Sequence, residues 1–223
     1  MYTGHFAIGL ALKEHKPEIP AMPILAGVVL LDILNSFFLL IGLNRVSSDM
    51  SALPYMYFKL DFIDWDHSLL MALIWSVLWG ILFIRFPKTA LIAFLAVFSH
   101  FLADLLVHNH DMALFPYSDT HLGFGLWGTL GSLSWWLEGI FSLALFIYAF
   151  RKARKRGISY LFPGILMILM FIFVSPYFSV MKFAASLSHP YNHIVLAIQF
   201  LTGMLIPALL LIAYYNKVEK QAM

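Results

Sequence analysis

Cysteine is missing from this 223-residue sequence, and charged side chains are scarce. The absence of cysteine excludes a disulfide scaffold, a zinc ribbon and a thiol nucleophile. Charged residues make up only 12% of the chain, whereas a soluble domain carries about 25%. The net charge of +2 is too small to indicate nucleic acid as a partner. With 61% hydrophobic residues and a mean hydropathy of +0.84, the composition predicts a multi-pass membrane protein whose main partner is the lipid bilayer.

Six apolar stretches approach the roughly 20 residues that a helix needs to cross about 30 Å of hydrocarbon. They are Ala21–Gly42, Ser68–Ile84, Thr89–Val107, Leu126–Phe150, Ser159–Val174 and Ile194–Tyr215. A seventh stretch, Thr3–Lys13, is shorter and has no basic segment before it, so we expect a short helix rather than a cleaved signal peptide. That helix either reaches partway into the bilayer or lies on it. The prediction is an all-α bundle of six spanning helices plus this short helix, forming one domain over residues 1–223.

Lysine and arginine are distributed unevenly between the loops on the two sides of this predicted bundle. Eleven of the 14 fall on one side, and the two sets alternate correctly across six spans. Because cytoplasmic loops are enriched in basic residues, we expect that side, which includes the C-terminus, to be cytoplasmic. The expected location is the inner membrane of a bacterium.

Three acids lie inside the predicted spans, at Asp32, Asp104 and Glu138. Each ionised acid at membrane depth costs about 2.5–3.5 kcal/mol on insertion scales, so something must neutralise it. The predicted spans contain no lysine or arginine, and the nearest basic side chains are histidines such as His100. Carboxylates and neutral imidazoles without a fixed cation form the kind of ligand set that a divalent metal needs.

The spacing of one group of side chains agrees with a metal site. At about 100° per residue, a helix would place the group within an arc of about 80°. Its members are His100, Asp104, His108 and Asp111. A histidine and an aspartate one turn apart can present a ring nitrogen and a carboxylate to the same ion.

Four further side chains bear on this site. His67 opens the second span near the predicted depth of His100, and His5 lies in the short first helix. Asp66, directly before His67, is open to interpretation as the N-cap of the second span. Glu138 is either a general base or a protonated acid that hydrogen-bonds across helices.

The order of these residues carries a family resemblance. The matching elements are Gly4-His5, Asp32, Asp66-His67-Ser68, Ser99-His100 through Asp104, His108 with Asp111, and Glu138. In this order they resemble the bacterial membrane-bound metal-dependent hydrolases, a family of inner-membrane proteins. The resemblance covers residues 1 to about 142 and implies metal binding and hydrolysis. Asp32 departs from the Pro-Asp-x-Asp run of many members, which leaves one carboxylate fewer for a second metal.

The resulting hypothesis is a metal-dependent hydrolase that acts on a lipid or a lipid-linked ester or phosphoester, with its site in the outer half of the bundle. The predicted metal ligands are His5, His67, His100 and Asp104, with Asp32 and His108 as ligands or orienting groups. Nitrogen and oxygen donors together favour Zn²⁺, with Mn²⁺ or Fe²⁺ as alternatives, and the ion would activate a water molecule. Glu138 is the expected general base, with Asp111 in reserve. The alternatives are a proton- or ion-coupled transporter and a metal-binding membrane protein without catalysis.

Overall fold

The computed structural model describes residues 1–52 and 56–221, so the predicted domain of residues 1–223 includes five positions outside the described part. The described residues are mostly helical, at 68%. The helices in the described residues are α1 Thr3–His15, α2 Ala21–Leu25, α3 Leu30–Leu40, α4 Asp64–His67, α5 Leu69–Ile81, α6 Pro87–Val107, α7 Leu126–Leu130, α8 Leu133–Lys155, α9 Leu161–Phe173, α10 Val180–Ala185 and α11 Tyr191–Gln221.

Four helical segments among the described residues are long and apolar enough to cross a membrane. They are Ala21–Leu40, which joins α2 to α3 through the 3₁₀ turn Gly27–Val29, together with α6, α8 and α11. The other two predicted spans contain α5 and α9, of 13 residues each, which is less than the roughly 20 residues that a perpendicular crossing needs. Helix α5 ends at Ile81, and a turn that begins with the apolar residues Leu82 to Ile84 connects it to α6. Hydropathy alone does not distinguish that turn from more helix.

Two small antiparallel hairpins show that the all-α prediction holds only coarsely. Strand β1 (Arg45–Ser48) pairs with β2 (Phe58–Phe62), and β3 (Met112–Ala113) pairs with β4 (His121–Leu122). Both hairpins lie in loops that the lysine and arginine distribution places outside. Their strands are only two to five residues long, too short for an alternating pattern to be evident in the sequence.

Helix α1 lies inside the bundle, where it packs mainly on α8 and also contacts α2, α6 and α9. Phe6, Ala7 and Leu10 are completely buried. Gly9 allows a close approach of the 3₁₀ turn Gly27–Val29, because a Cβ atom there would lie 2.9 Å from a methyl group of Val28. A short helix that is apolar on all sides is buried rather than amphipathic. The expectation that it lies on the bilayer is therefore wrong.

A buried ionic cluster joins the C-terminal end of α1 to the ends of α8 and α11. Lys13 is completely buried, its Nζ lies 2.6 Å from Glu219 Oε1, and it donates to the Pro17 and Ile19 carbonyl oxygens. Arg156 donates to the buried carboxylate of Glu14 at 2.9 Å. Lys13 and Arg156 are among the eleven basic residues that the sequence assigns to the cytoplasmic side, with no partner predicted for either. Their acidic partners lie far away along the chain, so spacing gave no sign of these pairs.

We expect Glu219→Gln to lower the free energy of unfolding by about 1–3 kcal/mol, because it leaves the buried Lys13 ammonium without a carboxylate partner. Glu18→Gln is the matched control, since Glu18 is exposed in the same region. Thermal unfolding in detergent, followed by intrinsic tryptophan fluorescence, measures both variants. Equal unfolding midpoints would contradict a stabilising role for this pair.

Candidate metal centre

The six side chains predicted as metal ligands lie in one cluster at the other end of α1. They come from α1, α3, α4 and α6 and from the residue that follows α6, and none is more than 9% exposed. They are His5, Asp32, His67, His100, Asp104 and His108. The structure therefore brings together residues that are separated by up to about half of the chain.

Asp104 lies at the centre of this cluster. Its Oδ2 atom is 3.1 Å from His100 Nε2, 3.4 Å from His67 Nε2 and 3.8 Å from His108 Nε2. Its Oδ1 atom is 3.2 Å from His5 Nε2. One carboxylate thus faces four imidazoles, each through its Nε2 nitrogen.

Asp32 faces the same group from α3. Its two oxygens lie 3.7 Å from His67 Nε2 and 3.7 Å from His100 Nε2. Two overlapping sets, His5 with Asp32 and His100, and His67 with His100 and Asp104, each have ligand atoms within 4.8 Å of one another. Ligands bonded to a metal at about 2.0–2.2 Å must lie within about 4.4 Å of one another. The cluster is therefore close to the size of a coordination sphere.

Three of the imidazoles are held in the same manner by their other ring nitrogen. His100 Nδ1 lies 2.8 Å from the Val28 carbonyl oxygen, and His108 Nδ1 lies 2.7 Å from Asp111 Oδ1. His67 Nδ1 contacts the Asp66 carboxylate. An acceptor at Nδ1 favours a proton there and leaves the Nε2 lone pair free, an arrangement usual in histidines that ligate metals.

Two imidazoles in the cluster carry buried nitrogens that form no hydrogen bond of acceptable geometry among the described residues, although His5 Nε2 lies 3.2 Å and His100 Nε2 3.1 Å from Asp104 oxygens. These atoms are Nδ1 and Nε2 of His5 and Nε2 of His100. The two rings stack with their centroids 3.6 Å apart. Buried polar atoms are normally satisfied by hydrogen bonds, and a cation bound by both Nε2 atoms would satisfy one nitrogen of each ring. The donor set therefore fits a metal.

An ammonium group lies beside one of the buried acids, contrary to the expectation from the sequence. The absence of lysine and arginine implied that no ammonium group lies near the acids, but the amino group of Met1 contacts Asp104 Oδ1. That contact is at Oδ1, whereas the imidazoles of His67, His100 and His108 face Oδ2. The ammonium therefore accounts for part of the charge on Asp104 and leaves the histidines to be explained.

The group that contains His108 and Asp111 does not lie on one helix. Helix α6 ends at Val107, and His108 has an extended backbone. The loop then turns back so that Asp111 meets His108. Gly123, with φ +128°, allows the returning chain to pass close by, since a Cβ atom there would lie 2.4 Å from the His108 carbonyl oxygen. His108 and Asp111 are therefore close together, as predicted, but the prediction that they continue the same helix is wrong.

Charge interactions outside the spans act on two groups of the site. Burial alone would raise the pKa of Asp111, but the charge and the hydrogen bond of His108 lower that pKa below its usual value. Burial alone would lower the pKa of His67, but the Asp66 carboxylate and short contacts with Asp104 and Asp66 raise it well above its usual value. A metal bound at Nε2 would have to displace the proton that this raised pKa favours. Both shifts follow from histidine–carboxylate contacts at short range.

Asp66 is a site residue that the sequence analysis left undecided. The residue that caps α5 is Ser68, whose hydroxyl accepts from the Met71 amide. Asp66 is completely buried and contacts both His67 and the Asn44 side-chain amide. The adjacent Asp-His pair was the available signal, but Asn44 joins it only through the tertiary fold.

Glu138 holds the beginning of α1. Its Oε1 atom accepts hydrogen bonds from the Tyr2 amide at 2.7 Å, the Gly4 amide at 3.0 Å and the Thr3 hydroxyl at 3.0 Å. These include backbone donors of a first helical turn, which lack partners within their own helix. Glu138 therefore hydrogen-bonds across helices, as one of the two alternatives predicts, but it does so as an acceptor rather than as the donor that a protonated acid would be. A carboxylate with one oxygen so engaged can still take a proton on Oε2.

A cavity of about 480 Å³ adjoins the cluster. Asp32, His67, Asp104, His108 and Glu138 lie at the cluster end of its lining, and most of the other lining residues are apolar, many of them from α9 and α11. Asn35, Gln199 and Thr202 also line the cavity. The volume falls within the roughly 300–1,000 Å³ of small-molecule sites. The candidate ligands are thus accessible to a molecule of that size.

No protein-family model, curated protein or solved structure matches this chain. The resemblance to the membrane-bound metal-dependent hydrolases therefore stays a prediction. Support for a function therefore comes from the positions of the histidines and carboxylates described above.

Proposed function

We propose that this protein is a membrane-embedded, metal-dependent hydrolase that acts on a lipid or a lipid-linked ester or phosphoester. The observation that carries the proposal is the convergence of His67, His100 and His108 Nε2 on Asp104 Oδ2, with each Nδ1 held by an oxygen acceptor. Hydrogen bonds or water alone do not require three imidazoles to be oriented in this way, whereas metal ligation does.

The donor set supports Zn²⁺ as the ion, with Mn²⁺ or Fe²⁺ as alternatives, because it combines imidazole nitrogen with carboxylate oxygen. His5, His67, His100 and Asp104 would hold it, and Asp32 and His108 would complete or orient the set. Such an ion supplies Lewis acidity towards a phosphoryl or acyl oxygen and lowers the pKa of a bound water.

Glu138 is the better placed of the two candidate bases. It lines the cavity beside the cluster, whereas Asp111 directs a carboxylate oxygen to His108 Nδ1. A general base must reach the proton that it removes, either directly or through one water. We therefore assign proton transfer to Glu138 Oε2 and the orientation of His108 to Asp111.

The membrane arrangement proposed with this function has six spans, a cytoplasmic C-terminus and the metal cluster towards the outer face of a bacterial inner membrane. Helix α1 supports it, since His5 lies near one end and the buried Lys13 pairs lie near the other. The basic end is the one expected in the cytoplasm. A cluster in the outer half then meets substrates of the outer leaflet, for which lipids are the natural class.

Hydrolysis by the purified, zinc-loaded protein tests the proposal. We expect a panel of phosphatidylglycerol, phosphatidylethanolamine and a polyprenyl diphosphate to yield at least one cleaved product by mass spectrometry. Cleavage should stop after chelation and in His67→Ala, and Glu138→Gln should lose it while keeping its metal. Protein with stoichiometric metal that cleaves no ester or phosphoester of the panel would contradict the proposal. Full activity in Glu138→Gln would overturn only the assignment of the base.

The contiguous buried acids and histidines also favour a second candidate, an ion- or proton-coupled transporter. The distinguishing measurement is ion flux into proteoliposomes. Ion flux that Asp32→Asn abolishes would support the transporter. Proteoliposomes that show no ion flux, made from protein that cleaves a lipid, would support the enzyme. A protein with stoichiometric metal but neither flux nor cleavage would correspond to the non-catalytic metal-binding alternative.

A further inference from the structure

The cavity beside the cluster extends away from it between two helices. Leu169 and Met170 of α9 line one side, and Met204 and Ile206 of α11 line the other. Near the opposite end of α9, the two helices meet where the Phe162 ring stacks on Tyr214 at 5.5 Å. Helices α9 and α11 are therefore in contact at the end that is expected in the cytoplasm. Nearer to the cluster, both helices line the cavity.

Several residues of this lining also belong to the outer surface of the bundle. Leu169 is 47% exposed, Phe173 46% and Ile206 52%. In a bilayer such a surface faces hydrocarbon rather than water. Met170 and Met204, which line the same cavity, are at most 3% exposed. The cavity thus runs from an apolar surface, past buried methionines, to the carboxylates and histidines.

We infer that this cavity holds the hydrocarbon tail of a membrane lipid, which enters sideways between α9 and α11 and places its polar ester linkage at the histidine cluster. The inference deepens the proposed function and rests on it. A passage that is mostly apolar, with Gln199 and Thr202 as polar exceptions on α11, and that ends at charged groups matches an amphipathic ligand. Water-soluble substrates would gain nothing from an apolar entrance, whereas a lipid tail leaves one hydrocarbon environment for another at little cost.

Photo-crosslinking in nanodiscs of phosphatidylethanolamine and phosphatidylglycerol tests the inference. Two probes are used separately: a phosphatidylglycerol with a diazirine in one acyl chain and a polyprenyl phosphate with a diazirine in its chain. We expect one of them to label Met170 and Met204, as mapped by peptide mass spectrometry. Leu211 is the matched control, since it is equally buried on α11 and does not line the cavity.

Substitutions on the same two helices sharpen the test. Ile206→Trp and Leu169→Trp should reduce labelling of the buried methionines several-fold, because the larger side chains narrow the entrance. Leu209→Trp and Ile172→Trp are the matched controls, since Leu209 (54% exposed) and Ile172 (50%) do not line the cavity. These should leave labelling unchanged.

The outcomes separate this inference from the proposed function. The probe that labels the methionines identifies the tail as fatty acyl or polyprenyl. Metal bound at full stoichiometry, with labelling of Met170 and Met204 no stronger than that of Leu211, would overturn the lipid passage alone. Labelling of both methionines in wild-type protein that binds no transition metal even when zinc is supplied would instead overturn the metal function and leave the lipid passage standing.

Discussion

Replacing His100 with alanine should remove nearly all tightly bound metal from the purified protein. His100 belongs to both overlapping ligand sets, and its buried Nε2 forms no hydrogen bond of acceptable geometry among the described residues. Asp104→Asn should have a similar effect, because it removes the charge that faces four imidazoles while it preserves the shape of the side chain. Loss of a direct ligand should exceed the 10–100-fold loss of affinity that is typical of an orienting residue.

Elemental analysis of detergent-purified protein measures this effect. The wild type should hold about one transition-metal ion per chain, as expected of a single ligand set with one open position, and both variants should fall to a small fraction of that. His193→Ala is the control, since His193 lies at the beginning of α11 and contacts His189 rather than the cluster. Wild-type protein that is folded without any metal would reject the metal centre as a whole. Loss of metal in His193→Ala would mean that the assay reports general destabilisation.

The sequence predicted the cluster because its chemistry is incompatible with lipid. Asp32 and Asp104 lie in apolar helices, so a bundle must turn them inward, and the one-turn spacing of His100 and Asp104 places both on one side of α6. These two rules use only composition and helical period. They correctly bring together residues from α3 and α6 without any knowledge of the fold.

Other parts of the site depend on tertiary contacts that no local pattern contains. Helix α6 ends at Val107, so Asp111 reaches His108 through a loop rather than along a helix. Asn44, which follows α3, joins the site through its contact with Asp66. Glu138 meets α1 across the bundle. A long-range partner is set by packing, and periodicity describes only neighbours within one element.

The lengths of the spans were the weakest part of the prediction for a similar reason. Apolar turns and apolar helices have the same hydropathy, so the stretch Ser68–Ile84 gave no sign that α5 ends at Ile81. Lys13 illustrates the converse. A lysine at the end of an apolar helix indicates a position at the membrane–water interface. Only the fold shows that this lysine is buried and paired with Glu219 and two carbonyl oxygens.

Removing the carboxylates behind the imidazoles should weaken metal binding without abolishing it. Asp111→Asn and Asp66→Asn each replace the charged acceptor at a histidine Nδ1, at His108 and His67 respectively. The rings then lose part of their orientation and basicity, and we expect the dissociation constant for Zn²⁺ to rise about 10–100-fold in each variant. Competition with a fluorescent zinc chelator measures that constant.

The graded response distinguishes an orienting role from direct ligation. Both variants should still reach full occupancy at high zinc concentration, whereas His100→Ala should not. Asp119→Asn is the matched control, because Asp119 is exposed in the same loop region as Asp111. An unchanged dissociation constant in Asp111→Asn would mean that the Asp111–His108 contact serves only to fold the loop. Complete loss of metal in Asp66→Asn would instead make Asp66 a ligand, since a residue that acts through His67 leaves the other donors in place.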